Sequence, residues 1–217
     1  MLRSAAVSRI QQYLGFRSDK SAEIITALQD TQTEFEREAE LPWFLRNDGA
    51  NPTLTLTLST YGVNLPTGFL REIDEDNDGG LFYYNSANED GEEWTPIDKM
   101  SEGDAREAYQ DSTGEPEAYV LTETQLLVFP LADAAYILRF PFFKADTTLA
   151  TDVENDWLKY AHELMIGNAG LKIAASVRDM PAIQIFAEME RRGRERIMKE
   201  NVSRQEANRV RVMGGVD

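Results

Sequence analysis

Asp74, Asp76, Asp78 and Gly79 show the clearest ligand-like spacing in this chain. They fall on positions one, three, five and six of a twelve-residue calcium loop, where alternate oxygens face the ion and glycine makes the sharp turn. Leu81 takes the apolar eighth position. The twelfth position requires a bidentate Glu and holds Asn85, a neutral amide that offers one oxygen and no charge. The flanks also depart from a helix–loop–helix motif. Pro66 and Gly68 break any helix before the loop, and Leu81 to Tyr84 supply β-favouring aromatics after it. The segment reads as a solvated turn between two strands, with Gly79 and Gly80 taking left-handed positions at no cost. The alternative is a calcium-dependent carbohydrate- or protein-binding module built on residues 74–79.

Other chemistry finds little support. The chain has no Cys and a single His, which rules out a thiol nucleophile, a disulfide framework and a two-His metal site within one chain. His162 lies on or beside the apolar face of a helical stretch and reads as a packed or surface residue. There is no nucleophile elbow and no phosphate-cradling glycine loop. None of the 38 acidic residues is framed by a motif that would mark a glycosidase pair. Trp43, Trp94 and Trp157 read as core and interface anchors before a ligand platform. Asn201-Val-Ser203 matches a glycosylation acceptor, idle without a signal peptide. The expectation is a non-enzyme with no catalytic residue, no cofactor and no metal ligand.

The elements that would carry such a protein are legible from periodicity. A chain of 217 residues with 42% hydrophobic content builds one or two domains, and no apolar run approaches a membrane span. Val7, Ile10 and Leu14 mark an amphipathic first helix. Its three arginines, with no acid before Asp19, also suit a mitochondrial transit peptide, but the ordinary helix is the simpler reading. Residues 21–40 read as a helix capped by Ser21, with Ile25, Leu28, Phe35 and Ala39 on one face. Alternation over residues 53–60 predicts a half-buried strand, with Leu54, Leu56 and Leu58 inward. Further strands are expected near 69–73, 81–84, 93–97, 117–121, 125–130 and 135–143, and a short helix from Ser101. The helical period returns at a capping box of Thr151 and Glu154. Trp157, Ala161, Leu164, Leu171 and Ala175 then mark one long helix, and Asp179 caps another. Ser203 and Glu206 offer a second capping box.

The expected fold class is α+β. Residues 1–45 and 150–202 form a helical bundle, residues 46–149 a β-rich insertion, and residues 203–217 an extended C-terminal arm. Charge follows a similar division. Residues 1–152 carry 11 basic and 28 acidic side chains, whereas residues 191–217 carry eight basic and four acidic ones. An acidic body repels nucleic acid and most membrane surfaces, and a basic tail beside it suits an assembly protein.

In this setting several phrases carry a resemblance. LPWFL (41–45), NLPTGFLRE (64–72), GEPEAYVLTETQLLVFPLADAAYILRFPFF (114–143) and ENDWLKYAHELMIGNAGLKIAASVRD (154–179) stand in the order seen in head–tail adaptor proteins of tailed bacteriophages, which the chain resembles over about residues 40–180. The resemblance implies a structural virion protein at the head–tail junction, assembled in the host cytoplasm. It implies a homo-oligomeric ring of twelve copies that meets the portal protein on one side and tail nozzle or tail-tube proteins on the other. The genome would pass through its channel without specific binding, and no membrane is involved. It also implies that the C-terminal segment packs against the portal. Here that segment supplies Arg204, Arg209, Val210, Arg211, Val212 and Met213 as candidate portal contacts.

Overall fold

A computed structural model describes residues 1–48, 53–73, 79–84 and 94–213, with side chains described through Arg204. The architecture is mixed helix and sheet, as the α+β expectation requires. The chain divides into two compact units, residues 1–45 with 145–217, and residues 46–144.

The first unit is helical. It holds α1 (Arg3–Tyr13), α2 (Ser21–Phe35), α4 (Asp156–Tyr160), α5 (His162–Ser176) and α6 (Met180–Met213), with short 3₁₀ turns at Ser18–Lys20 and Trp43–Leu45. Its core interleaves residues remote in sequence: Ala6 and Ile10 of α1, Ile24 and Leu28 of α2, Met165, Ile166 and Ala169 of α5, and Phe186 of α6 are all buried. The apolar face of α1 is thus part of this core, and its start is tied down as well. Arg3 donates to the carbonyls of Leu149 and Ala150 at 2.9 and 2.6 Å, Ser4 N–H donates to Asp152 at 2.8 Å, and the N-terminal ammonium pairs with Glu154. Helices α5 and α6 touch backbone to backbone. A Cβ built on Gly167 would lie 2.4 Å from Glu190 N, and one on Gly193 would lie 2.5 Å from Leu164 N. Only glycine permits such an approach.

Several local expectations are corrected. Ser21 does not cap α2, since its hydroxyl donates to Ser18 O, and α2 ends at Phe35. The long helix is broken at Ala161 (φ −124°, ψ 29°) into α4 and α5, and Ala175 is exposed. Its cap is Asn155, whose side chain accepts from Leu158 N–H at 2.9 Å, while Glu154 is engaged by the N-terminus. The capping box at Ser203 does not start a new helix. α6 runs unbroken through Met213, so the extended arm expected from residue 203 is helical backbone instead.

Among the described residues, the second unit holds α3 (Glu102–Ala108) and twelve short strands: β1 (Arg46–Asn47), β2 (Leu54–Leu56), β3 (Gly62–Asn64), β4 (Phe69–Glu72), β5 (Leu81–Tyr84), β6 (Trp94–Lys99), β7 (Thr113–Gly114), β8 (Ala118–Leu121), β9 (Gln125–Phe129), β10 (Leu131–Ala132), β11 (Tyr136–Arg139) and β12 (Phe142–Lys144). Seven of them form a sheet in the order β2-β11-β5-β6-β8-β9-β3. Its two edge strands lie beside one another, so the sheet curls nearly into a barrel. β6 and β8 are parallel, and α3 supplies the crossover that parallel neighbours need. Ser101 caps α3 by accepting from Asp104 N–H at 3.2 Å. Alternation along β8 serves two cores: Tyr119 joins Leu56, Leu126, Leu138 and Phe140, whereas Ala118 and Val120 pack with Ala105 and Phe129. The strand expected over 53–60 stops at Leu56. Thr60 N–H closes a turn on Thr57 O, Ser59 takes a positive φ of 58°, and Leu58 is left 60% exposed. This unit carries 19 acidic and 6 basic side chains, so it holds nearly all of the chain's net charge.

Candidate functional site

Asp74, Asp76, Asp78 and Asn85 lie outside the described residues. What borders them is strand, β4 on one side and β5 on the other, with Gly80 N–H donating to Ile73 O at 3.3 Å across the gap. The flanks are strands, where a helix–loop–helix calcium motif has a helix on each side. Among the described residues, no group of three or more acidic or histidine side chains is placed to hold a metal. His162 opens α5 half-buried, and burial lowers its pKa. Trp94 packs edge-on against Tyr84 in the β unit, whereas Trp43 and Trp157 belong to the helical unit.

The candidate contacts Arg204, Arg209, Val210, Arg211, Val212 and Met213 all lie on the C-terminal stretch of α6. Its helical backbone replaces the extended one that adding a strand to a partner's sheet would need. Arg204 is the last whose side chain is described. Its guanidinium carbon lies 3.4 Å from the centroid of the Trp43 ring, a cation–π contact. The same loop is held twice more: Trp43 N–H donates to Asn201 Oδ1 at 2.9 Å, and Asn201 Nδ2 donates back to Leu41 O at 3.4 Å. Trp43 Nε1 reaches Glu200 at 3.4 Å. One turn of α6, from Glu200 to Arg204, therefore grips residues 41–43.

Beneath this contact lies an aromatic cluster. Phe44 stacks on Tyr160 at 5.5 Å and meets Trp157 edge-on at 5.2 Å, and Trp157 packs on Phe35 at 5.6 Å. The cluster is tied to a polar hub. Glu36 Oε1 accepts from Trp157 Nε1 and from Asp146 N–H, both at 3.1 Å, and from Gln32 Nε2 at 2.9 Å. Asp146 accepts from the backbone N–H groups of Trp157 and Thr147, at 3.1 and 2.7 Å. Burial still pushes its carboxyl above the usual range, against the pull of those donors. Arg194 forms a bidentate pair with Glu38 at 2.7 and 3.0 Å, which raises its pKa further. None of these groups is arranged as nucleophile and base. They fasten the points where the chain leaves and re-enters the helical unit, near Leu45 and Ala145.

Sequence reasoning marked LPWFL and the tail but did not join them. Trp43 and Asn201 are 158 residues apart, and no local signal pairs them.

No curated protein matches this chain. A family model described as SU10 adaptor protein matches residues 2–213, nearly the full length and both structural units, and the chain therefore belongs to the SU10 adaptor protein family, a family of structural phage adaptors.

Proposed function

We propose that copies of this chain form a ring between the portal vertex and the tail, and that the ring leaves a channel for the genome. Membership of the adaptor family carries this reading. Two structural features support it. The β unit concentrates the negative charge, and an acidic lining gives DNA phosphates nothing to adhere to during transit. α6 is more than twice as long as α5, so its C-terminal turns continue beyond the helix it packs on, and in this reading they are what a partner meets. In this reading the partner is the portal protein, approached by the stretch from Arg204 to Met213, and tail proteins dock at another face of the ring. The helices of residues 1–45 and 150–202 serve as the bundle that carries the β-rich insertion.

The test is truncation after Arg204, which keeps the contact with Trp43. The melting temperature of the truncated chain is expected to stay within a few degrees of the intact protein, while binding to purified portal is lost or strongly weakened. Because the arginines contribute charge pairs, added salt weakens binding of the intact chain. Undiminished portal binding by the truncated chain overturns the assignment of α6 as the docking element.

A further inference from the structure

We propose that Asn201 and Arg204 clasp Trp43 so as to hold the last turns of α6 helical and aimed for docking, with Arg204 a positioning residue rather than a portal contact. This deepens the docking reading above and rests on it.

The register of α5 on α6 shows why a clasp is needed. Cβ atoms built on Gly170, Gly167 and Gly193 would meet Phe186, Glu190 and Leu164 at 2.4, 2.4 and 2.5 Å, so the two helices run antiparallel in one steady register. In that register His162, the first residue of α5, stands opposite Glu195. α6 continues to Met213, so residues 196–213, roughly 27 Å at about 1.5 Å per residue, run past the start of α5. Most helical stability in proteins comes from tertiary packing, and lone helices of under about 12–15 residues are marginal in water. Residues 41–43 meet this overhang.

The clasp has a rigid half and a forked half. Pro42 fixes its own φ, Leu45 N–H closes a turn on Pro42 O at 3.1 Å, and Leu41 and Leu45 are buried. Asn201 holds that turn by its backbone, accepting from Trp43 N–H at 2.9 Å and donating to Leu41 O at 3.4 Å. Three residues on, and so on the same helix face, the Arg204 guanidinium carbon lies 3.4 Å from the centroid of the Trp43 ring. That ring packs in turn on Tyr160 at 4.9 Å. Val202, between the two, points elsewhere and is 53% exposed. A guanidinium laid on the indole of its own chain is not presented to a partner. The residues after Arg204, through Met213, then extend a turn that is already fixed, so they need no helix nucleus of their own. A docking element ordered beforehand is spared that cost on binding.

The free chain gives the first readout. The Asn201→Ala/Arg204→Ala double variant loses a cation–π contact and two hydrogen bonds. Amide hydrogen exchange over residues 205–213 is expected to quicken in it about tenfold to a hundredfold. Alanine is the better helix former, so propensity works against this change. Exchange over α5 is expected to stay as in the wild type. Arg204→Lys, which keeps a cation for Trp43, is expected to exchange more slowly over 205–213 than Arg204→Ala, and Val202→Thr to match the wild type.

Portal binding gives the second readout. The double variant is expected to bind purified portal more weakly, by up to the same factor. Once Trp43 is replaced by Leu, Arg204→Ala is expected to cost no further affinity; a further loss makes Arg204 a portal contact and overturns its positioning role. Unchanged exchange over 205–213 in the double variant overturns the clasp, and quickened exchange beside wild-type portal affinity overturns its part in docking. Undiminished portal binding after truncation at Arg204 strikes the docking reading instead, a result that exchange in the free chain keeps separate.

Discussion

Replacing Gly193 by Ala tests the close approach of α5 and α6 most directly. The new Cβ would lie 2.5 Å from Leu164 N, 2.7 Å from its Cα and 2.8 Å from its Cβ, where carbon contacts settle at about 3.5–4.0 Å. On propensity alone, alanine in a helix interior gains about 1 kcal/mol over glycine. Overpacking costs about 1–3 kcal/mol, and the upper end applies because two of the three opposing atoms are backbone, with no rotamer to yield. The net loss is about 2 kcal/mol, which for a chain of this length is a fall of roughly 4–8 °C in melting temperature. Far-ultraviolet circular dichroism follows the helices directly. Gly103→Ala is the matched control, since its Cβ meets nothing within 4 Å, and it should be stabilising by about 0.5–1 kcal/mol. Gly167→Ala attacks the same contact from the other helix, 2.4 Å from Glu190 N. Helices already spread by one methyl accept the second more cheaply, so the double variant should lose less than the two single losses together. A Gly193→Ala chain that melts at or above the wild-type temperature would refute the backbone contact.

Other expectations follow from particular contacts. Trp157→Ala removes a ring that is 2% exposed and the N–H that Glu36 accepts; urea unfolding should show a loss of about 3–5 kcal/mol, and a loss under about 1 kcal/mol would mean the cluster is not packed. Glu188, exposed on α6, is held to a pKa of about 2 by hydrogen bonds from Arg191 and Arg192. Its folded pKa is depressed, so its contribution to stability is present above the ordinary carboxylate range and is lost as pH falls toward 2. An NMR titration should place its midpoint below that of a free glutamate and move it upward in high salt; a normal, salt-independent midpoint would contradict the pairing. Millimolar calcium should leave the melting temperature unchanged, because Asn85 stands where a bidentate acid is needed. A rise equivalent to about 2.7 kcal/mol, as at a hundredfold excess over the dissociation constant, would establish a calcium site.

What could be read from the sequence was whatever local periodicity determines. The strand-like stretches at 81–84, 117–121 and 125–130 match β5, β8 and β9 to within a residue, and the helical period located the start of α2 and the stretch around Trp157. Failures came where a distant group settled a local choice. Glu154 looked like half of a capping box, but the N-terminus takes it and Asn155 caps instead. The alternation at 53–60 carried on past the point where the Thr57–Thr60 turn ends the strand. Ser203 and Glu206 have cap spacing, yet they sit inside α6, where nothing interrupts the helix. The grip of Asn201 and Arg204 on Trp43 was invisible for the same reason: it is formed by segments that only the finished fold brings together.

The pairing of β1 with β12, Arg46 opposite Phe143 and Asn47 opposite Phe142, bears on how the chain folds. These are the strands by which the chain enters and leaves the β unit, and partners in an antiparallel pair lie only about 5 Å apart. Joining Leu45 to Ala145 within the helical unit otherwise means closing a loop of 99 residues. If the β unit folds first, that loop is already shut at its neck, and the helical unit meets a connection no longer than a hairpin turn. On (3/2)RT ln n, this spares about 3.5 kcal/mol of closure entropy at the later step. The same neck makes residues 46–144 a cassette: a short turn in their place would leave α2 and α4 tethered at the spacing they already have.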